Sequence, residues 1–190
     1  MRVCVDCGSS SGANPIFVEA ATALGTALAG AGIDLVYGGA KVGLMGAVAD
    51  ATLAGGGHVI GVMPEALVTA EVQHDGLSEL RITADMHTRK ATMAGLADGF
   101  VALPGGFGTW EEVCEVLTWG QLGMHAKPVV IFDVDGFYAP FFALVNRAID
   151  AGFLKPNGRE RAQRATTIAE VLAGLTTTAP AFEPKWIQPR

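Results

Sequence analysis

The chain has 190 residues, half of them apolar and 17% charged, with a formal net charge of −6. That length suits one domain with a sizeable core and leaves little room for two. The acidic balance argues against a nucleic-acid surface, and no basic block or long apolar run is present that could coat or cross a membrane.

Short apolar or β-branched runs alternate with longer helical patterns. Val3–Cys7 reads as a first strand with no leader pattern ahead of it, so a cytoplasmic protein is expected. Within it Cys4 and Cys7 have C-x-x-C spacing. No second Cys or His pair lies near enough in sequence to complete a zinc site, and both read as buried strand and turn residues. A helix follows near Pro15–Ala31, then a strand at Asp34–Tyr37, a helix at Leu44–Gly55 and a strand at His58–Val62. Glu79–Thr83 is the next strand, followed by a helix over Met86–Leu96 and a strand at Gly99–Leu103. A helix over Thr109–Leu122, a strand at Val129–Asp133 and a helix over Tyr138–Ala151 come next. Ile168–Leu175 is a last short helix. Strands separated by helices of this length imply right-handed βαβ units, hence an α/β fold with a mostly parallel central sheet and helices on both faces. One domain over residues 1–175 and a Thr- and Pro-rich tail over 176–190 are expected. The three cysteines make no disulfide framework, and the four histidines show no ligand spacing.

Ligands of such folds sit at the carboxyl ends of the strands. Three glycine-rich turns stand there: Gly8-Ser9-Ser10-Ser11-Gly12, Gly38-Gly39-Ala40-Lys41-Val42-Gly43 and Pro104-Gly105-Gly106-Phe107-Gly108-Thr109. Glycine lets backbone N–H groups approach an anion, and a following helix N-terminus adds a favourable dipole. Tight strand-to-helix turns explain the first two equally well. None of the three is a full G-x-G-x-x-G or a P-loop, so neither a nicotinamide dinucleotide nor ATP is supported. Thr109-Trp110-Glu111-Glu112 has the form of a capping box, with Thr109 as N-cap and Glu112 three residues on. The box leaves the rigid Pro-Gly-Gly unexplained, and a Glu112 turned toward the cleft would lie near the group that follows a bound phosphate. Glu115, one turn later on roughly the same face, is either a second carboxylate or a solvated helix residue, and the second reading is preferred. Met86-His87-Thr88-Arg89-Lys90 puts two cations at a helix start, against the dipole, which points to an anion partner. Adjacent residues face different ways, so one cation can face the cleft while the other meets solvent or a carboxylate.

Met86–Ala91 (MHTRKA) and Pro104–Glu112 (PGGFGTWEE) together resemble the paired motifs of the LONELY GUY (LOG) family, the cytokinin riboside 5′-monophosphate phosphoribohydrolases. The family pattern PGGxGTxxE is met at every specified position. The resemblance runs from GSSSG through YGGAKVGLMG to about residue 175. It implies a Rossmann-like fold, a homodimer, and hydrolysis of the N-glycosidic bond of an N6-prenylated adenosine 5′-monophosphate, with plain AMP a weaker substrate. Carried over by motif, Arg89 and Glu112 are the catalytic pair. Gly105, Gly106, Gly108 and Thr109 hold the phosphate, and Lys90 lines the same region. Ser9, Gly39, Met86 and Pro104 complete the expected substrate contacts, with no metal and no cofactor.

The chemistry agrees. N-glycoside cleavage passes through an oxocarbenium-like sugar cation, which an anion such as Glu112 can stabilise. A cation such as Arg89 can hold phosphate or offset charge on the departing base. The rival is a carrier of the same fold that holds a molybdenum cofactor or another phosphorylated pterin without hydrolysing it. A DNA-processing protein fits poorly with the net charge. The lysine decarboxylase label that similar chains often bear lacks any pyridoxal phosphate fingerprint. Surplus apolar residues on the helices near Thr109 and Tyr138, among them Trp110, Trp119, Phe141, Phe142 and Leu144, point to a two-fold dimer. The alternative cover is the tail, with Phe182 and Trp186.

Overall fold

A computed structural model describes residues 1–68, 72–178 and 180. Seven strands form one sheet: β1 (Arg2–Asp6), β2 (Asp34–Tyr37), β3 (Val59–Pro64), β4 (Glu79–Thr83), β5 (Gly99–Ala102), β6 (Val129–Phe132) and β7 (Ala162–Ala165). All neighbours are parallel, in the order β4-β3-β2-β1-β5-β6-β7. The helices are α1 (Ile16–Gly30), α2 (Gly43–Ala54), α3 (Glu65–Val68), α4 (Met86–Leu96), α5 (Phe107–Gln121), α6 (Ala139–Asp150), α7 (Gly158–Arg161) and α8 (Ile168–Leu175).

The inner strands are short, near-continuous apolar runs because both their faces are covered. Side chains alternate across the sheet and split the core in two. Val3, Val5, Leu35 and Val101 meet α1, α2 and α8 on one face, while Cys4, Val36, Ile60 and Phe100 meet α4, α5 and α6 on the other. The result is the three-layer α/β fold that the alternation of elements implies. Helices α1 and α2 approach closely because Gly25 lies against Val48, where a Cβ would stand 2.4 Å from the carbonyl oxygen.

Two short helices, α3 and α7, and one strand, β7, have no counterpart in the sequence reading. The strand Ala162-Gln163-Arg164-Ala165 has little intrinsic β character. It forms because the open edge of β6 offers a ladder, pairing Val129 with Ala162 and Phe132 with Ala165. Arg164 then binds the buried Asp133 at 2.6 Å. The chain reverses direction across the sheet between β1 and β5, which are neighbours there. A crevice at the carboxyl ends of those two strands follows from the topology.

Candidate active site

The loops after β1, β2 and β5 meet at this crevice. The Gly8 amide donates to the Pro104 carbonyl at 3.0 Å, and the Leu44 amide donates to the Gly8 carbonyl at 3.0 Å. Gly43 has φ +59°, and a Cβ there would stand 2.3 Å from the Ser9 backbone, so glycine is what lets the first two loops touch. A cleft of about 450 Å³ opens beside them. Its wall includes Asp6, Ser9, Gly38, Arg89, Gly106, Gly108, Thr109 and Glu112, with Met45, Met63, Met93 and Phe107 as apolar surface.

Helix α4 delivers the cation. Asp85 caps its start by accepting the Thr88 amide at 2.7 Å. Arg89, buried, donates from Nε to the Val62 carbonyl at 3.1 Å and reaches Glu112 Oε1 with Nη1 at 3.1 Å. Gly38 makes room for the guanidinium, since a Cβ there would stand 2.2 Å from Arg89 Nη2. Burial pushes the Glu112 carboxyl above its usual range, and Arg89 opposes that shift.

The capping box expected at Thr109 is not formed. Helix α5 begins at Phe107, with Gly106 as N-cap in an extended conformation. Thr109 is buried in the first turn, and packs so closely under Gly105 that a Cβ on Gly105 would stand 2.2 Å from its Oγ1. The Pro-Gly-Gly turn thus starts the helix early, and this frees Glu112 for Arg89. No side chain among the described residues caps this helix end, which leaves the amides of its first turn without a side-chain acceptor. The capping box of this chain is at Thr167 and Glu170, at the start of α8.

The anion partners of the two α4 cations are, in the protein itself, carboxylates of α5. Arg89 takes Glu112, while Lys90 pairs with Glu111 and, at 3.1 Å, with Glu115. Glu115 is therefore not the free solvated residue expected. Burial works against the Lys90 charge, but its bonds to Glu111 and Glu115 outweigh it and hold the ammonium above its usual range. Lys90 faces a small crevice behind Glu112 and does not line the cleft. Met86 is half-exposed at the start of α4, with Sδ 3.8 Å from Arg89 Nη1. Ser9 and Gly106 stand on the ridge between the cleft and a second hollow that Pro104 and Gly105 line. Gly39, with φ +80°, turns the β2 loop against Met63, and its neighbours Gly38 and Ala40 reach the cleft in its place. The sequence marks Gly38 only as part of the second glycine turn and gives Asp6 no role. A lone carboxylate in the apolar strand Val3–Cys7 was the signal for Asp6.

A model of the family described as "possible lysine decarboxylase" matches residues 45–175. Over 182 residues, 96% of this chain and 84% of the relative, the sequence is 48% identical to the cytokinin riboside 5′-monophosphate phosphoribohydrolase LOG7 of Arabidopsis thaliana. The LOG protein of Oryza sativa is 47% identical over 96% of this chain and 75% of its own length. The chain belongs to the LOG family. Beyond the LOG relatives, the fold is shared with the molybdenum cofactor binding protein of Rippkaea orientalis, with a TM-score of 0.69 at 20% identity over 90% of this chain and 93% of that one. The carrier protein for the same cofactor from Chlamydomonas reinhardtii gives a TM-score of 0.68 at 24% identity, covering 90% and 93%. In this LOG-family chain MHTRKA lies on α4, PGGFGTWEE runs from the turn after β5 into α5, and their meeting point is the Arg89–Glu112 pair.

Proposed function

We propose that this protein hydrolyses the N-glycosidic bond of N6-prenylated adenosine 5′-monophosphates, releasing the free base and ribose 5-phosphate, with AMP as a weaker substrate. Membership of the LOG family supports the reaction, and the Arg89–Glu112 pair in the cleft, beside a helix N-terminus without a side-chain cap, is the observation that carries it. The phosphate docks on Gly105, Gly106, Gly108 and Thr109, where first-turn amides and the helix dipole favour an anion. Ser9 closes one side, and the turns at Gly39 and Pro104 shape the loops. The ribose then lies against Glu112, whose carboxylate stabilises the oxocarbenium-like cation as the glycosidic bond breaks. Water supplies the hydroxyl that ends on the anomeric carbon, and its proton leaves with the base. Arg89 holds Glu112 ionised and in place, and Met86 flanks the guanidinium. Lys90 acts from behind, by fixing α5 to α4 through Glu111 and Glu115.

The test is incubation with isopentenyladenosine monophosphate and with AMP, reading free base by chromatography. Base release from the prenylated nucleotide is expected, and its absence removes the proposal. The molybdenum cofactor carrier is the second reading, supported by fold likeness only, and multiple turnover excludes a pure carrier. A decarboxylase through a lysine Schiff base finds no lysine among the described residues that line the cleft.

Gly38→Ala tests the position of Arg89 without touching it. A Cβ displaces the flexible ends of Arg89 and Met45, not backbone. Turnover is expected to fall roughly 10²-fold through misplacement of the guanidinium, with stability changed by about 1 kcal/mol or less. Full activity in a folded Gly38→Ala protein detaches the guanidinium position from the reaction.

We also propose a cytoplasmic homodimer. The cysteines are free, which suits a reducing compartment, and no helix among the described residues is long and apolar enough to cross a membrane. Phe107 is 84% exposed and Leu144 67% exposed, with Trp110 packed edge-on against Phe107. Apolar side chains so open to water favour a partner surface. The alternative cover, Phe182 and Trp186, lies outside the described residues. Light scattering at micromolar concentration is expected to give twice the mass of one chain. A single-chain mass rejects the dimer, and six times that mass marks a larger assembly.

A further inference from the structure

Asp6 is the last residue of β1 and stands at the floor of the cleft, lining both it and the crevice behind Glu112. Only 4% of the residue is exposed. A carboxylate this deep normally has a cation or several strong donors. Here the one hydrogen bond it receives among the described residues is from the Cys4 thiol, at 3.6 Å, a weak donor. No ion pair from the described residues reaches it.

The surroundings explain why. Among the described residues, the charged and titratable groups around Asp6 are Cys4 on its own strand and Cys7 just after it, Arg89 and Lys90 from α4, Glu111, Glu112 and Glu115 from α5, and Tyr138 ahead of α6. Lys90 is taken by Glu111 and Glu115, and Arg89 by Glu112. The Tyr138 hydroxyl donates to the Leu103 carbonyl at 2.7 Å, so its proton is not offered to Asp6. Both thiols are pushed up by burial first and are neutral. The one guanidinium near the two carboxyls is thus bound to Glu112, and of two carboxyls that share a largely dry site one is held protonated to higher pH. Glu112, in contact with Arg89, keeps the charge.

We propose that Asp6 is a positioning residue of this site: it stays uncharged beside the Glu112 carboxylate while the cleft takes up a phosphorylated ligand, and its ionisation weakens uptake of that ligand. The proposal rests on the hydrolase reading for its kinetics only. Burial, then the Glu112 charge, raises the Asp6 carboxyl well above the usual range, in keeping with this order of titration. The sign follows. Below the Asp6 titration the cleft floor bears Glu112⁻, Arg89⁺ and a neutral acid. Above it, a second negative charge faces an incoming phosphate dianion. Its repulsion raises KM for a 5′-monophosphate by roughly tenfold or more, while kcat, set by groups already in place, changes less.

Infrared spectroscopy of the unliganded protein tests the protonation state without any substrate. At pH 7 a protonated carboxyl band is expected that shifts on selective ¹³C labelling of aspartate and is missing in Asp6→Asn. No such band in the native protein overturns the proposal, as does a band lost in Glu112→Gln and kept in Asp6→Asn. The kinetic arm follows KM and kcat for isopentenyladenosine monophosphate from pH 6 upward. KM is expected to rise on the alkaline side in the native protein and to stay flat in folded Asp6→Asn. An unchanged rise in Asp6→Asn overturns the proposal. So does a folded Asp6→Asn protein that is inactive at every pH, since Asp6 would then move a proton itself. If the native protein cleaves no monophosphate, the hydrolase reading fails alone, and the infrared arm still decides the state of Asp6.

Discussion

Glu112→Gln is expected to lower turnover by roughly 10²-fold or more while leaving the fold intact. The substitution keeps the shape of the side chain and a carbonyl oxygen that can accept from Arg89 Nη1, now 3.1 Å from the carboxylate. What it removes is the negative charge that meets the ribosyl cation. The helix does not depend on Glu112 for capping, because the N-cap position is held by Gly106 and Glu112 lies beyond the first turn. A loss of activity therefore cannot be ascribed to a frayed helix, and circular dichroism and thermal melting are expected to match the native protein. Because burial raises the Glu112 carboxyl above the ordinary glutamate range near ~4.3, the acid limb of the native kcat profile is expected above that value. Stopped activity is expected as pH falls through it, since protonation removes the same charge. A Glu112→Gln protein with native turnover would return this residue to a structural role.

Removing the substrate's phosphate is expected to cost as much as removing the carboxylate. The 5′-monophosphate should exceed the free riboside in kcat/KM by roughly 10²-fold or more, the scale of remote binding energy used in a transition state. The reason is the uncapped start of α5, flanked by the loop after β1. No side chain among the described residues caps its first-turn amides, and a dianion meets both those donors and the positive end of the dipole. Ribose 5-phosphate should compete with substrate for the same reason. Steady-state kinetics on the matched pair decides the matter. Equal kcat/KM values for nucleotide and nucleoside would take the glycine loop out of the mechanism.

The sequence alone determined the alternation of strands and helices, because each inner strand is a short apolar run and each crossover a helical period. It also marked the Gly-rich turns at the carboxyl ends of β1, β2 and β5, because glycine and proline act locally on the backbone. The joint presence of MHTRKA and PGGFGTWEE pointed to the family before any geometry was known. Other features were decided only when distant segments met. The Thr109–Glu112 box is locally sound, yet packing of Gly105 against Thr109 starts α5 earlier and turns Glu112 to a guanidinium 23 residues upstream in sequence. Glu115 looks like a solvated residue until α4 lays Lys90 beside it. Strand β7 has no local signal and exists through the open edge of β6. Asp6 is one carboxylate in an apolar strand, and only the tertiary structure brings it to the same cleft as Glu112, whose cation partner is Arg89. Local backbone preferences are written residue by residue, whereas charge pairing depends on which side chains share a space from which water is excluded, and that is fixed by the fold.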